Sequence, residues 1–180
     1  MRIIAGTAKG HTIQAPKGMD TRPTLDRVRE SIFNVLAHRG LYGARVLDLF
    51  SGTGAIAIEA LSRGASQAVA VDMRTGKLIM ANAEHCKLAD KIKVLSCKLS
   101  GVPVRLQGQQ FDLIFSDPPY EKGFIEATIQ MVVDHDLLDP GGILLLERHT
   151  QEEVLLPEGW EVFKEQKFGY TMVTYCQRIQ

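Results

Sequence analysis

Four consecutive residues carry the clearest chemical signal, because Asp117, Pro118, Pro119 and Tyr120 closely follow an apolar segment that ends at Phe115. Two prolines hold the backbone extended and contribute no N–H donors, so the Asp117 carboxylate and the neighbouring carbonyls offer acceptors only. An exocyclic base amine is a poor nucleophile, and acceptors around it compensate the positive charge that it gains during attack. We therefore predict that these four residues hold a base amine, with Tyr120 stacking on the base, although a rigid turn is the simpler alternative.

A glycine-rich segment forms the second cluster, where an apolar strand ends near Asp48 and a helix begins near Ala55. The spacing Gly52-x-Gly54-x-x-Ala57 leaves the backbone open to a ligand and matches, weakly, the fingerprint of dinucleotide sites. A carboxylate at position 48 would repel a pyrophosphate and attract an ammonium or sulfonium group. S-adenosylmethionine carries both cations and no phosphate, so it is the predicted cofactor.

One further acid and the beginning of the first helix complete the predicted cofactor site. Asp72 ends the second predicted strand, where an acid can accept both ribose hydroxyls, although it could equally cap a turn. The start of the first helix, with its arginines, could hold the methionine carboxylate or an RNA phosphate. The predicted cofactor contacts are Asp48, Ser51, Gly52, Gly54, Asp72, Met73 and Thr24.

Hydrophobic periodicity indicates how these clusters are positioned. Strands and helices alternate after an N-terminal hairpin at 1–20 and a helix capped by Thr24, and the chain closes with a second hairpin. The predicted strands are 46–50, 68–71, 93–96, 111–115, 142–147, 160–167 and 171–178, and the predicted helices after the first are 55–63, 74–88, 102–107 and 124–135. This order predicts an α/β, Rossmann-like, doubly wound and mostly parallel seven-stranded sheet that ends in an antiparallel hairpin, with ligands beyond the strand ends.

Composition limits the class of protein. The chain has 180 residues, about one domain, with 21 basic and 21 acidic residues and a net charge of +0, so any nucleic-acid surface must be local. Its 3 cysteines lack metal or disulfide spacing, and no stretch reaches the roughly 20 apolar residues that cross a membrane. We expect a single-domain, monomeric cytoplasmic protein that needs neither a metal nor a membrane.

The base itself is a narrower question. Guanine presents N1–H and N2–H₂ as adjacent donors that one carboxylate can accept together, whereas adenine places an N1 acceptor beside its amine. The Asp117 carboxylate therefore favours guanine, but adenine and cytosine stay open.

With these clusters in order, the chain resembles bacterial methyltransferases that modify a guanine N2 in small-subunit (16S) ribosomal RNA. The resemblance rests on RIIAG at 2–6, RPTLDRVRESIFN at 22–34, LDLFSGTGAIAIEALSRGA at 47–65 and DPPY at 117–120. It implies a class I methyltransferase fold, a site for S-adenosylmethionine, and an assembling small ribosomal subunit as the partner. It also implies that RNA is held by the basic N-terminal side chains Arg2, Lys9, Arg22, Arg27 and Arg29.

The sequence departs from this family pattern at two places. Ser96-Cys97-Lys98 stands where many relatives have an Asp for the cofactor adenine, and Phe168-Gly169-Tyr170-Thr171 replaces a Gly-Asp-Thr; neither segment is assigned a role.

Two other functions fit parts of the pattern. A DNA adenine-N6 methyltransferase would share the cofactor and the Asp-Pro-Pro-Tyr motif, and a non-catalytic ribosome-assembly factor would keep the pocket as a scaffold.

Overall fold

The structure is a computed structural model that describes residues 1–16 and 23–180, with the side chains of 23 and 24 also outside the description. Its centre is a seven-stranded sheet in the order β3-β2-β1-β4-β5-β7-β6. The strands are β1 (Arg45–Leu49), β2 (Gln67–Val71), β3 (Ile92–Leu95), β4 (Phe111–Ser116), β5 (Leu138–His149), β6 (Trp160–Phe168) and β7 (Thr171–Arg178). The first five strands are parallel, and β7 lies antiparallel between β5 and β6.

Helices connect the parallel strands and cover both faces of the sheet. They are α1 (Pro23–Leu36), α2 (Ala55–Ser62), α3 (Gly76–His85), α4 (Val102–Arg105) and α5 (Phe124–Asp134), with short 3₁₀ turns at Ala89–Lys91 and Leu99–Gly101. Alternate strand residues point to opposite faces of the sheet, so each strand contributes side chains to the hydrophobic cores on both faces. In β1, Val46 packs with α1, α2 and α3, whereas Leu47 and Leu49 pack with α5.

The N-terminal segment pairs with itself and docks on α2. Arg2 and Thr12 form an antiparallel bridge. The fully buried Glu59 of α2 accepts hydrogen bonds from the N–H groups of Ile4 at 2.9 Å and Ala5 at 3.0 Å. A side chain at Gly6 would lie 1.8 Å from the Ser62 carbonyl oxygen, so only glycine permits this approach.

The predicted fold class is confirmed, including the antiparallel closing hairpin. Strand β5 is longer than predicted, because its pairing with β4 already begins at Leu138. The first helix also differs from the prediction. It begins at Pro23, so Thr24 lies inside the helix rather than capping it, and it ends at Leu36. Proline is well suited to a first helical position, because its φ angle is already helical and the N–H that it lacks would have no partner there.

Candidate active site

A cleft of about 540 Å³ opens at the carboxyl ends of β1, β2, β4 and β5. Parallel strands in a doubly wound sheet direct these ends to one edge, where loops from both sides of the strand-order reversal meet. The cleft brings the two chemical clusters of the sequence together, although about 70 residues separate them. Its polar and aromatic lining, with the two prolines and Gly52, consists of Arg29, Asp48, Phe50, Ser51, Gly52, Thr53, Asp72, Asp117, Pro118, Pro119, Tyr120 and Glu147.

The glycine-rich loop turns sharply between β1 and α2. Phe50, Gly52 and Gly54 all have positive φ angles, of 57°, 58° and 81°. A Cβ at Gly54 would lie 3.0 Å from the Ile79 side chain, whereas a Cβ at Gly52 would meet nothing within 4 Å. Gly54 therefore allows α2 to pack on α3, and Gly52 leaves open space beside the backbone at the cleft.

Asp48 lies at the bottom of the cleft and is 1% exposed. Its Oδ2 accepts hydrogen bonds from Ser51 Oγ at 2.6 Å and from the Ala57 N–H at 3.2 Å. Its Oδ1 is buried and has no partner among the described residues. Burial raises the pKa of Asp48 to about 7, and the charges of Asp117 and Asp72 add to this shift against the two hydrogen bonds. A cation or N–H donor in the cleft would satisfy Oδ1 and favour the ionised carboxylate.

Asp72 organises the loop after β2 and stays partly exposed. Its Oδ2 accepts the Gly52 N–H at 3.0 Å, and its Oδ1 accepts the N–H groups of Arg74 at 2.8 Å and Thr75 at 3.1 Å. Asp72 therefore caps the turn after β2, which is the alternative role that the sequence left open for it. Ionised carboxylate oxygens accept about four hydrogen bonds in total, so capacity remains for a ligand hydroxyl.

Asp117 continues β4 into the cleft. Its carboxylate has no hydrogen-bonding partner within residues 1–16 and 23–180, and burial raises its pKa to about 7. Pro118 is buried and Pro119 is exposed. The side chain is therefore a partly exposed acceptor without an internal partner, to which an incoming donor could bind.

Glu147 is a cleft residue that the sequence prediction missed. It lies on β5 one residue past Leu146, which pairs with Ser116, so it is the lateral neighbour of Asp117. It is 6% exposed, and burial together with the charge of Asp117 raises its pKa to about 8. The available signal was an acid that follows the apolar run ILLL at a strand end.

The aromatic ring of Tyr120 lies at the mouth of the cleft and is 40% exposed. Its hydroxyl is 2.9 Å from Thr171 Oγ1 on β7, and its ring meets His149 edge to face. This residue therefore connects the cleft with the closing hairpin.

The remaining predicted contacts divide into three groups. Met73 is half exposed and, like Gly54, does not line the cleft. Arg2, Lys9 and Arg27 are exposed and available to a partner. Arg22 lies outside the described residues, and so does the side chain of Thr24.

Arg29 is buried, unlike the exposed arginines beside it, and it lines the cleft, so its contact with RNA stays a prediction. Arg29 is 4% exposed, and its guanidinium donates to the Arg2 carbonyl and lies 3.8 Å from the Glu59 carboxylate. A buried arginine paired in this way fastens the N-terminal segment to α2, because removing it from its partner would leave a charge unpaired.

Within the described ranges, 1–16 and 23–180, the structure contains no cluster of metal-ligating side chains. The helices in those ranges include none with the length and hydropathy of a membrane span.

Comparisons with known proteins connect this site to a family. The sequence model of a family described as "Conserved hypothetical protein 95" matches residues 1–177. A Bacillus subtilis protein named "Putative rRNA methyltransferase YlbH" is 36% identical over 88% of this chain and 86% of its own length. "Ribosomal RNA small subunit methyltransferase D" of Escherichia coli K12 is 31% identical over 99% of this chain and 90% of its own length. The solved structure "Putative methyltransferase yhhF from Escherichia coli" superposes with a TM-score of 0.89 at 31% identity, covering 99% of this chain and 98% of that one.

Proposed function

This chain belongs to the family described as Conserved hypothetical protein 95, and from that premise we propose that it transfers a methyl group from S-adenosylmethionine to the exocyclic N2 of a guanine in small-subunit ribosomal RNA. One observation supports this reaction above all others. The cleft places the Asp117 carboxylate, without an internal partner, in the same cavity as the glycine-rich loop and Asp48. The names of the relatives support the ribosomal RNA.

The residues of the loop fit S-adenosylmethionine. The unpartnered Asp48 Oδ1 would bind its ammonium group, the open backbone at Gly52 would lie against it, and Asp72 would accept ribose hydroxyls. When bound, the cofactor supplies an electrophilic methyl group on a positively charged sulfur. Ser51 keeps Asp48 oriented for this contact through its 2.6 Å hydrogen bond.

Asp117 and Glu147 would recognise the base as a pair. Two neighbouring carboxyl groups in a buried place cannot both ionise readily, so one proton remains on the pair near neutral pH. Asp117, as the ionised partner, would accept the N1–H and N2–H groups of guanine. Glu147, as the protonated partner, would donate to the guanine O6. The contact that favours guanine over adenine is the one in which Asp117 accepts both N1–H and N2–H, because adenine has an N1 acceptor beside its amine.

The amine is also the group that needs activation. A hydrogen bond from N2 to Asp117 would favour a pyramidal nitrogen and compensate its developing positive charge. Partial burial of the site strengthens this interaction, because less water screens it than at an exposed surface. The residues thus bind, orient and neutralise charge, and no covalent enzyme intermediate is required.

The proposed substrate is the RNA within an assembling small ribosomal subunit, with Arg2, Lys9, Arg22 and Arg27 as the proposed RNA contacts. The monomeric state, the cytoplasmic location and the single-domain organisation with its hairpin at 1–20 stay predictions.

The decisive experiment supplies methyl-labelled S-adenosylmethionine to the protein together with small ribosomal subunits, naked ribosomal RNA or duplex DNA. We expect label in RNA, and mass spectrometry of the digested RNA should identify N2-methylguanosine and its position. Label only in DNA adenine would support the adenine-N6 alternative. RNA binding without any methyl transfer would support a non-catalytic assembly factor.

A further inference from the structure

Three aromatic rings form a continuous row that leads away from the mouth of the cleft. The ring centroids of Tyr120 and His149 are 5.7 Å apart in an edge-to-face arrangement. The rings of His149 and Tyr170 are nearly parallel, with an interplanar angle of 7° and centroids 5.8 Å apart. We call Tyr120, His149 and Tyr170 the rim platform.

Two rings of the rim platform are held by hydrogen bonds of their own polar atoms, and the third lies on a turn that is held through its backbone. The Tyr120 hydroxyl is bonded to Thr171 Oγ1, and His149 Nδ1 accepts the Gln151 N–H at 3.2 Å. The Tyr170 carbonyl accepts the Thr150 N–H at 2.9 Å, which ties the hairpin tip to the loop after β5. The platform is therefore organised before any ligand arrives.

The hairpin turn itself presents Tyr170 outward. Strands β6 and β7 pair up to Phe168 and Thr171, so only Gly169 and Tyr170 form the turn. Gly169 has a φ of 62° at the first central position, which is where type II′ hairpin turns place glycine. The segment that departs from the family pattern thus builds a tight turn with a tyrosine at its tip.

The rim platform is not part of the core. Tyr170 is 79% exposed, and Tyr120 is 40% exposed. A group of adjoining exposed aromatic rings beside a cleft typically marks a binding surface, whereas scattered exposed hydrophobic residues do not. Tyr42, for comparison, is 88% exposed but makes no ring contact among the described residues, and it precedes β1 at the opposite end of the sheet.

We propose that the rim platform is a stacking site for a nucleobase that adjoins the methylated base in the RNA strand. This inference rests on the proposed function, because it requires an RNA substrate. A base that enters the cleft leaves its stack, so its neighbour in the chain loses a stacking partner. Tyr120 belongs to both the cleft and the platform, so a base on the platform lies within reach of the strand that enters the cleft.

Charge near the platform favours a base over a phosphate. Glu152 accepts the N–H groups of His149 at 2.8 Å and Glu121 at 2.9 Å, so a carboxylate lies directly beside the rings. A phosphate group would be repelled there, whereas a base offers a neutral π-face and amino groups. We infer that the RNA backbone runs outside the platform, with its bases turned toward the rings.

The test uses a short single-stranded RNA that spans the mapped target guanine, with fluorescent 2-aminopurine on either side of it. Binding is measured by fluorescence without cofactor, and turnover is measured on small ribosomal subunits. For Tyr170→Ala we expect binding weakened about tenfold and a raised KM, because the variant loses the ring on which the base stacks. Tyr170→Phe should bind as the wild type does, since it keeps the ring.

The matched control is Tyr42→Ala, which removes an equally exposed tyrosine from the opposite end of the sheet. It should leave RNA binding within about twofold of the wild type, and all variants should keep their affinity for S-adenosylhomocysteine. Wild-type binding by Tyr170→Ala, in a protein whose wild type methylates the RNA, overturns the platform and leaves the proposed function intact. A wild type that methylates DNA or protein but no RNA overturns both.

Discussion

At the scale of single residues, three carboxyl groups share one cleft with few internal partners. Burial raises the pKa of Asp48 and Asp117 to about 7 and that of Glu147 to about 8. Such groups are unfavourable for the ligand-free protein, since each charged form is poorly solvated. Their arrangement is explained if cationic and N–H donor groups of ligands satisfy them during the reaction.

Asp117→Ala should lower kcat for RNA methylation by about 100- to 1000-fold, because the nitrogen loses the acceptor that compensates its charge. The affinity for S-adenosylhomocysteine should change by less than about twofold, since Asp48 and Asp72 are retained. Asp90→Ala, an exposed acid outside the cleft, is the control. A fully active Asp117→Ala protein would remove this residue from the mechanism.

The role of Glu147 can be tested by the pH dependence of kcat/KM. The charged group that acts on it in the cleft is the Asp117 carboxyl, so ionisation of Glu147 adds unfavourable charge. We expect kcat/KM of the wild type to fall above a pH of about 8, where Glu147 loses the proton that it donates. Glu147→Gln keeps a donor and should lose this alkaline limb, whereas Glu147→Ala should lower kcat/KM about 10- to 100-fold. An unchanged alkaline limb in Glu147→Gln would contradict the donor role.

At the scale of elements, α2 does two tasks at its two ends. Its first turn follows the glycine-rich loop at the cleft, and its later turns receive the N-terminal segment through Glu59. Glu59 also contacts Arg63 at 2.8 Å and Arg29 at 3.8 Å. The N-terminal cations Arg2 and Lys9 are therefore positioned relative to the cleft by contacts with α2, among them those of the fully buried Glu59.

Glu59→Ala should lower the free energy of unfolding by about 3–5 kcal/mol, because it leaves Arg29 and two backbone N–H groups buried without their acceptor. Urea unfolding would measure the change. Glu84→Ala, an exposed acid on α3, serves as the control and should stay within about 0.5 kcal/mol of the wild type. Equal stability of the two variants would show that Glu59 does not fasten the N-terminal segment.

At the scale of the whole molecule, the cleft acids couple stability to pH. Carboxyl groups of an unfolded chain titrate near a pH of about 4, whereas these three have a pKa of about 7 or 8 when folded. Between those values the folded protein binds more protons than the unfolded chain, so the free energy of unfolding falls as pH rises.

We therefore expect the Tm of the ligand-free protein to fall as pH rises from about 5 to about 8. Glu147→Gln should reduce the slope, because one of the three groups no longer titrates. Saturating S-adenosylhomocysteine should raise Tm most at the alkaline end, where Asp48 is ionised and binds the ammonium group. An identical slope in the variant and the wild type would refute this coupling.

The sequence by itself determined the order and type of the elements and much of the site. Apolar runs of strand length alternate with helical periodicity, so the doubly wound sheet and its closing hairpin followed from local patterns. Asp48, Gly52, Asp72 and Asp117 were identifiable because motif spacing and strand ends are local features too. The parallel topology then requires their strand ends to meet at one edge.

Only the tertiary structure decided what depends on neighbours distant in sequence. Arg29 resembles the exposed arginines beside it, and its burial follows from the approach of Glu59, which lies 30 positions away. Glu147 is one acid among many until the pairing of β4 with β5 places it beside Asp117. Tyr170 joins Tyr120 only through the β6–β7 turn and the loop after β5. Burial and charge coupling are properties of three-dimensional packing, and the local spacing of residues does not contain them.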